Sequence, residues 1–214
     1  MHVLGIDLSG PRNIGDTYAA LFRERGSMLD FRRALSAADD GQILESVSGL
    51  DELEPVAIGV DAPLSYNPGG GDRPSDRELR FLVRDRGGGV GIMPPTMIRM
   101  VYLTLRGIAL VRMLETVEPR LDLRIVEVHP GAALLLRNVP REELARLKRD
   151  RDARLRLLDW LEARGLNGIP RSDQTPDHFV MACAAALAAW DWARGKSVWR
   201  FEAQPPAHPY DFAC

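Results

Sequence analysis

The sequence predicts an α/β protein in which a mixed sheet is flanked by helices. Short apolar runs at residues 3–8, 56–60 and 123–128 are bounded by turn residues and have the length of buried strands. A longer segment, residues 97–117, carries apolar residues at helical spacing and is long enough to cover one face of a sheet. Strands that alternate with helices in this way are typical of layered α/β folds.

The bulk properties indicate one ordinary globular domain spanning residues 1–214. Hydrophobic residues make up 45% and charged residues 27% of the chain, and the formal net charge is −2. This balance gives no support to tight nonspecific binding of duplex nucleic acid. Neither a leader segment nor a run of transmembrane length is evident, and the two cysteines have no metal-ligand spacing. We therefore expect a cytoplasmic protein without a membrane partner.

The first half of the chain predicts a hairpin-rich sheet edge followed by a crossover. Residues 3–8, 17–22 and 27–34 form three candidate strands, and their short connections favour antiparallel pairing. Apolar residues at helical spacing in 39–50 predict a crossover helix. The strand at 56–60 should then return parallel to the first strand.

The second half predicts helices around one further central strand. Helices are expected from residue 77 to 86, from 97 to 117 and, as one or two pieces, from 141 to 164. The last helix should begin at residues 175–177, with Thr175 as its N-cap and Pro176 in its first turn. Residues 198–201 predict a last strand, and the proline-containing tail, about 203–214, is expected to be irregular.

Carboxylates follow the ends of three predicted strands, where open α/β sheets place ligand sites. Asp7, Asp61 and Glu127 occupy these ends, and Asp177 lies at the start of the last helix. Each could instead cap a turn, pair with an arginine or complement a helix N-terminus. Together they predict an acidic cluster that needs a cation, and oxygen ligands suit Mg²⁺ or Mn²⁺.

Six sequence blocks carry a resemblance that covers nearly the whole chain. The blocks GIDLSG, VDAPLS, RPSDRELR, EVHPGA, LKRDRDARLRLL and PDHFVMACAAALAAW, in that order, resemble the family called domain of unknown function 429. That family is described as predicted ribonuclease H-like nucleases. The resemblance implies a ribonuclease H-like mixed sheet of about five strands, the first three antiparallel, with helices on both faces.

The same resemblance implies the site residues of a metal-dependent nuclease. The matching positions are Asp7 on the first strand, Asp61 on the fourth and Asp177 on the last helix, which would be metal ligands. Family members usually carry a second aspartate three residues along the last helix, where this chain has Val180. Asp173 lies four residues before Asp177, so the choice between these two acids stays open.

Basic residues and one histidine complete the candidate site. Arg73 and Arg77 follow the glycine loop after Asp61 and could bind phosphate, although a solvated helix face is the simpler interpretation. Lys148 matches the lysine of the family block within a largely charge-balanced segment. His129 lies two residues after Glu127 and could act as a general acid or base, or play a structural role.

Three functions remain open at this stage. The first is a metal-dependent nuclease with Asp7, Asp61, Glu127, His129 and Asp177 as its catalytic residues. The second is a phosphotransferase or nucleotide hydrolase of the actin and sugar-kinase type, for which the chain is short. The third is a binding protein that has kept the fold without catalysis. A nucleic-acid partner is expected, but neither its form nor the oligomeric state can be read from the sequence.

Overall fold

One mixed sheet forms the centre of the molecule. The computed structural model describes residues 1–117 and 119–214. Within these residues the sheet has eight strands in the order β6-β3-β2-β1-β4-β5-β8-β7. The strands are β1 (His2–Asp7), β2 (Tyr18–Arg25), β3 (Met28–Ser36), β4 (Val56–Asp61), β5 (Leu123–Val128), β6 (Leu166–Asn167), β7 (Arg200–Phe201) and β8 (Phe212–Ala213).

Helices cover both faces of this sheet. In the described part of the chain they are α1 (Asp40–Ser48), α2 (Pro74–Asp85), α3 (Ile98–Val117), α4 (Pro130–Leu136), α5 (Arg141–Arg146), α6 (Arg151–Glu162) and α7 (Asp177–Ala193). One apolar core lies between the sheet and α7, α4 and α6, and a second lies between the sheet and α1 and α3. None of the helices in the described residues has the length and apolar character needed to cross a membrane.

The connections of β1 to β4 place two strand ends side by side. β1, β2 and β3 are antiparallel neighbours, as predicted. The chain then crosses through α1, whose N-terminus is capped by the Asp39 carboxylate, which accepts a hydrogen bond from the Gln42 amide at 2.8 Å. β4 returns parallel to β1, as the crossover predicts. The parallel register pairs Asp7 directly with Asp61.

Helix α7 packs unusually close to the centre of the sheet. A Cβ atom on Gly5 of β1 would lie 2.1 Å from the Ala182 carbonyl oxygen, and one on Gly59 of β4 would lie 2.7 Å from that of Ala185. The glycines in the strands and the alanines in the helix therefore serve the same close approach. This packing fixes where the N-terminus of α7 meets the ends of β1 and β4.

Three details differ from the sequence predictions. The sheet has eight strands rather than about five, because β6, β7 and β8 extend the two edges with two residues each. Residues 203–214 are not wholly irregular, since β8 pairs with β5 and its residues are buried. Thr175 does not cap α7: its hydroxyl donates to the Ser172 carbonyl at 2.9 Å, and the extended Pro176 directly precedes the helix.

Candidate active site

Asp7 and Asp61 form a carboxylate pair at the carboxyl ends of β1 and β4. Their strands are adjacent and parallel, which confirms the sequence prediction. Both side chains line the same cavity, and Asp7 is 9% exposed. Two carboxylates placed side by side repel each other when both are ionised.

The electrostatic surroundings of this pair disfavour two negative charges. Burial, the charge of Asp7 and the charge of Glu127 together raise the pKa of Asp61 well above its usual range. Burial also raises the pKa of Asp7, an effect that the hydrogen bond from His178 partly offsets and that nearby Asp177 reinforces. The negative charges of the pair are therefore only partly compensated by His178 beside Asp7.

His178 holds Asp7 from the first turn of α7. Its Nδ1 atom donates a hydrogen bond to Asp7 Oδ2 at 2.7 Å, and its Nε2 atom lies 3.8 Å from Asp16 Oδ1. The hydrogen bond to Asp7 raises the pKa of His178, although partial burial opposes this. Sequence reasoning missed His178, although it directly follows Asp177 in the block PDHF.

Glu127 lies at the end of β5 in a very different environment. Arg73 donates to both of its oxygens, at 2.5 Å from Nη2 to Oε1 and 2.7 Å from Nη1 to Oε2. The Leu64 amide adds a third hydrogen bond at 2.8 Å. Three donors, two of them charged, satisfy this carboxylate, so it has little capacity left to bind a metal or take a proton.

Arg73 is the centre of this buried ion pair network. Its side chain also contacts Asp76, from Nη2 to Oδ1 at 2.8 Å, and the residue is only 3% exposed. Burial alone would lower the pKa of Arg73, but the charges of Glu127 and Asp76 outweigh it and hold the pKa above its usual value. The sequence left phosphate binding and a solvated helix face open for Arg73, whereas in the structure its guanidinium is buried and pairs with two carboxylates.

Residues of the C-terminal tail also contact this ion pair network. Ser65 Oγ accepts a hydrogen bond from Arg73 at 3.1 Å and lies 2.8 Å from His208 Nδ1. The Asp211 carbonyl accepts the Glu127 amide at 2.9 Å, and the Arg73 guanidinium stacks over Phe212. The sequence offered no periodic signal for these tail contacts.

His129 caps the N-terminus of α4 and also belongs to the candidate site. Its Nδ1 atom accepts the Ala132 amide at 3.3 Å at the start of α4, and its Nε2 atom lies 3.3 Å from the Gly91 carbonyl oxygen. These contacts assign the neutral tautomer with a proton on Nε2. Burial lowers the pKa of His129, which favours this neutral form.

A cavity of about 560 Å³ brings most of the predicted site residues together. Its lining includes Asp7, Asp61, Glu127, Asp177, His129, Arg73 and Lys148. Arg77 is not in this lining; it is exposed, and its guanidinium donates to the Asp72 carbonyl at 3.2 Å. Asp173 is also distant, since its exposed carboxylate pairs with Arg151. Of the two candidate acids near the last helix, Asp177 is therefore the one at the cavity.

Asp7 and Asp61 by themselves fit a divalent cation better than the predicted set of three ligands, Asp7, Asp61 and Asp177, does. Among residues 1–117 and 119–214, no group of three or more His, Cys, Asp and Glu side chains is placed to hold a metal ion. Asp7 and Asp61 nevertheless offer hard oxygen ligands whose negative charge His178 compensates only in part. Mg²⁺ commonly binds through one or two carboxylates, with water and substrate phosphate completing its coordination.

The fold and the site define an α/β protein with an acidic pair at the carboxyl edge of its sheet, inside a cavity. A sequence model of the family described as "Protein of unknown function (DUF429)" matches residues 5–209. The match spans most of the chain, so this protein belongs to that family. No curated protein and no solved structure matches the chain.

Proposed function

We propose that this protein is a metal-dependent hydrolase that cleaves phosphodiester bonds of nucleic acid on a ribonuclease H-like fold. The observation that carries the proposal is the register pairing of Asp7 with Asp61, which places two undercompensated carboxylates at the floor of a cavity. The strand order β3-β2-β1-β4-β5, with the first three strands antiparallel, supports it, because the family resemblance implies this arrangement.

The residues of the site take distinct roles in this proposal. Asp7 and Asp61 would hold Mg²⁺ or Mn²⁺, which supplies a polarised phosphoryl oxygen and an activated water when bound. His178 keeps the Asp7 carboxylate in place through its Nδ1 hydrogen bond. Asp177 adds negative charge beside the pair, and His129 presents a neutral ring to the cavity.

Glu127 is a positioning residue in this scheme. Its carboxylate is committed to Arg73 and to the Leu64 amide. The loop that leaves β4 is thereby fixed directly after Asp61, and the negative charge of Glu127 raises the pKa of Asp61. Arg73 sets the position of Glu127 rather than binding phosphate.

The test is a cleavage assay with single-stranded, duplex and RNA–DNA hybrid substrates in Mg²⁺ or Mn²⁺. We expect Asp7→Asn to reduce cleavage by about 100-fold or more, since even partners behind a metal ligand typically contribute 10–100-fold. Asp173→Asn is the matched control and should cleave like the wild type, because that carboxylate lies outside the cavity.

Two outcomes would overturn the proposal. A wild-type protein that cleaves none of these substrates with either metal would favour a binding protein. Metal-dependent hydrolysis of ATP without cleavage of nucleic acid would favour the phosphotransferase class.

A further inference from the structure

One wall of the cavity is a loop that several side chains hold in place. This strap, residues 87–96, joins α2 to the segment before α3, and Gly89, Gly91, Ile92 and Met93 of the strap line the cavity. The side chains of four residues from other elements approach carbonyl oxygens of the strap: Arg80 at Ile92, Thr104 at Pro95, His129 at Gly91 and Arg141 at Gly87. Their distances run from 2.8 to 3.3 Å. These contacts hold the strap in a defined position in the cavity wall.

Besides the strap and the charged groups around the acidic pair, the cavity has apolar lining residues and one further cation, Lys148. Met100 and Leu103 of α3 face the cavity from one side, and Leu144 and Leu147 face it from another. Lys148 lines the cavity, is exposed and makes no ion pair within the described residues. By contrast, the charge of Arg73 is neutralised by two carboxylates.

The size and walls of the cavity limit what can reach the acidic pair. A volume of about 560 Å³ lies in the range of sites that enclose one small organic molecule, roughly 300–1,000 Å³. Bases within a duplex are stacked and paired, so a base can enter the cavity only from a single strand or after extrusion from a duplex. The net charge of −2 likewise gives no support to tight nonspecific binding of a duplex.

We propose that the cavity takes one nucleotide at a time, either the terminal nucleotide of a single strand or one half of a free dinucleotide. The methionine and leucine side chains of the wall would contact the base, and Lys148 would contact a phosphate. This inference rests on the proposed phosphodiesterase function. In the reaction, a water oxygen bonds to phosphorus while the P–O bond to the neighbouring sugar breaks. The water proton passes to the leaving oxygen, which gives a nucleoside monophosphate and a shortened partner with a free hydroxyl.

The experiment compares four substrates: a linear single strand, a covalently closed single-stranded circle of the same sequence, a blunt duplex and a dinucleotide. We expect stepwise shortening of the linear strand or hydrolysis of the dinucleotide, and the two sources are told apart by which of them reacts. The circle should resist cleavage, and the duplex should react at least tenfold more slowly than the linear strand.

A cavity-edge variant provides an independent readout. Lys148→Met should raise the KM for the reactive substrate about tenfold and change kcat little, because it removes a phosphate contact made outside the acidic pair. Lys196→Met, at an exposed lysine outside the cavity, is the matched control and should behave like the wild type.

The failures of the two proposals are distinguishable. Cleavage of the circle as fast as the linear strand would overturn the one-nucleotide inference and leave the phosphodiesterase proposal standing. An unchanged KM in Lys148→Met would overturn the part of the inference in which Lys148 contacts a substrate phosphate. Absence of cleavage for all four substrates and for the RNA–DNA hybrid would overturn the phosphodiesterase proposal itself, whereas cleavage of the hybrid alone would overturn only the one-nucleotide inference.

Discussion

The Asp7–Asp61 pair and the Glu127–Arg73 pair lie at the ends of neighbouring strands. The negative charge of Glu127 is compensated by Arg73, whereas the negative charges of Asp7 and Asp61 are compensated only in part. Glu127 receives two hydrogen bonds from a buried guanidinium and one from a backbone amide. Asp61 faces two other carboxylates, and burial and their charges raise its pKa. Asp7 has one cationic partner, His178.

This difference distinguishes Glu127, whose carboxylate has a structural role, from Asp7 and Asp61, whose carboxylates are candidates for a role in the chemistry. A buried carboxylate with a full set of donors contributes to the folded state and is costly to disturb. Carboxylates that repel one another are retained against their electrostatic cost, which is typical of functional sites. We therefore propose that Asp7 and Asp61 bind the cation and that Glu127 and Arg73 hold the floor of the cavity in position.

The largest expected effect follows from removing Arg73. The substitution Arg73→Met keeps much of the side-chain volume but leaves Asp76 and Glu127 buried without a cation. We expect a loss of about 3–5 kcal/mol in the free energy of unfolding, measured by urea denaturation. Arg77→Met, on the exposed face of α2, should change stability by less than about 0.5 kcal/mol. Similar values for the two variants would contradict the distinction.

A smaller effect of opposite sign is expected when Asp61 becomes neutral. The folded state raises the pKa of Asp61 above its ordinary value of 3.8. The wild type therefore loses stability as the pH rises from that ordinary value to the raised pKa of the folded state. Asp61→Asn should melt like the wild type at acidic pH and several degrees higher at pH 8 in the absence of metal. Calorimetric melting across pH measures this, with Asp173→Asn as the control that shows no such trend. An Asp61→Asn protein less stable than the wild type at pH 8 would contradict the repulsion.

The smallest effect is expected at His178. Its pKa is raised in the folded state, so its stabilising contribution is complete below about pH 6.5 and disappears as the pH rises through the folded value. The substitution His178→Ala should cost on the order of 1 kcal/mol at pH 6, allowing for partial exposure, and less at pH 9. Urea denaturation at the two pH values tests this, and a cost that grows with pH would refute the ion pair with Asp7.

The positions of the acids could be predicted from the sequence, whereas their partners could not. Asp7 and Asp61 follow short apolar runs, and the crossover rule makes such strands parallel neighbours, so their meeting required only local pattern and topology. The partner of Glu127 lies 54 residues earlier, in the turn before α2, where the arginine spacing looked like an ordinary helix face. No local rule distinguishes Arg73, which is buried, from Arg77, which is exposed.

Two further features escaped the sequence for physical reasons. The tail strand β8 has only two residues, too few for a periodic pattern, and it is stabilised by pairing with β5 and by packing against Arg73. His178 contacts Asp7 because the glycines of β1 and β4 let α7 approach the sheet closely. That contact depends on three-dimensional packing across more than a hundred residues of sequence.

The most direct test of the account is a calorimetric titration of Mn²⁺ into the wild type at pH 7.5, repeated in buffers with different ionisation enthalpies. Since burial raises the pKa of both carboxyls and the charge of Asp7 also raises that of Asp61, binding should be saturable, release protons and raise the melting temperature. Asp7→Asn and Asp61→Asn should each lose this binding, while Asp173→Asn should keep it. Saturable binding that persists in both pair variants, or a wild type that binds no Mn²⁺, would contradict the assignment of Asp7 and Asp61 as the cation site.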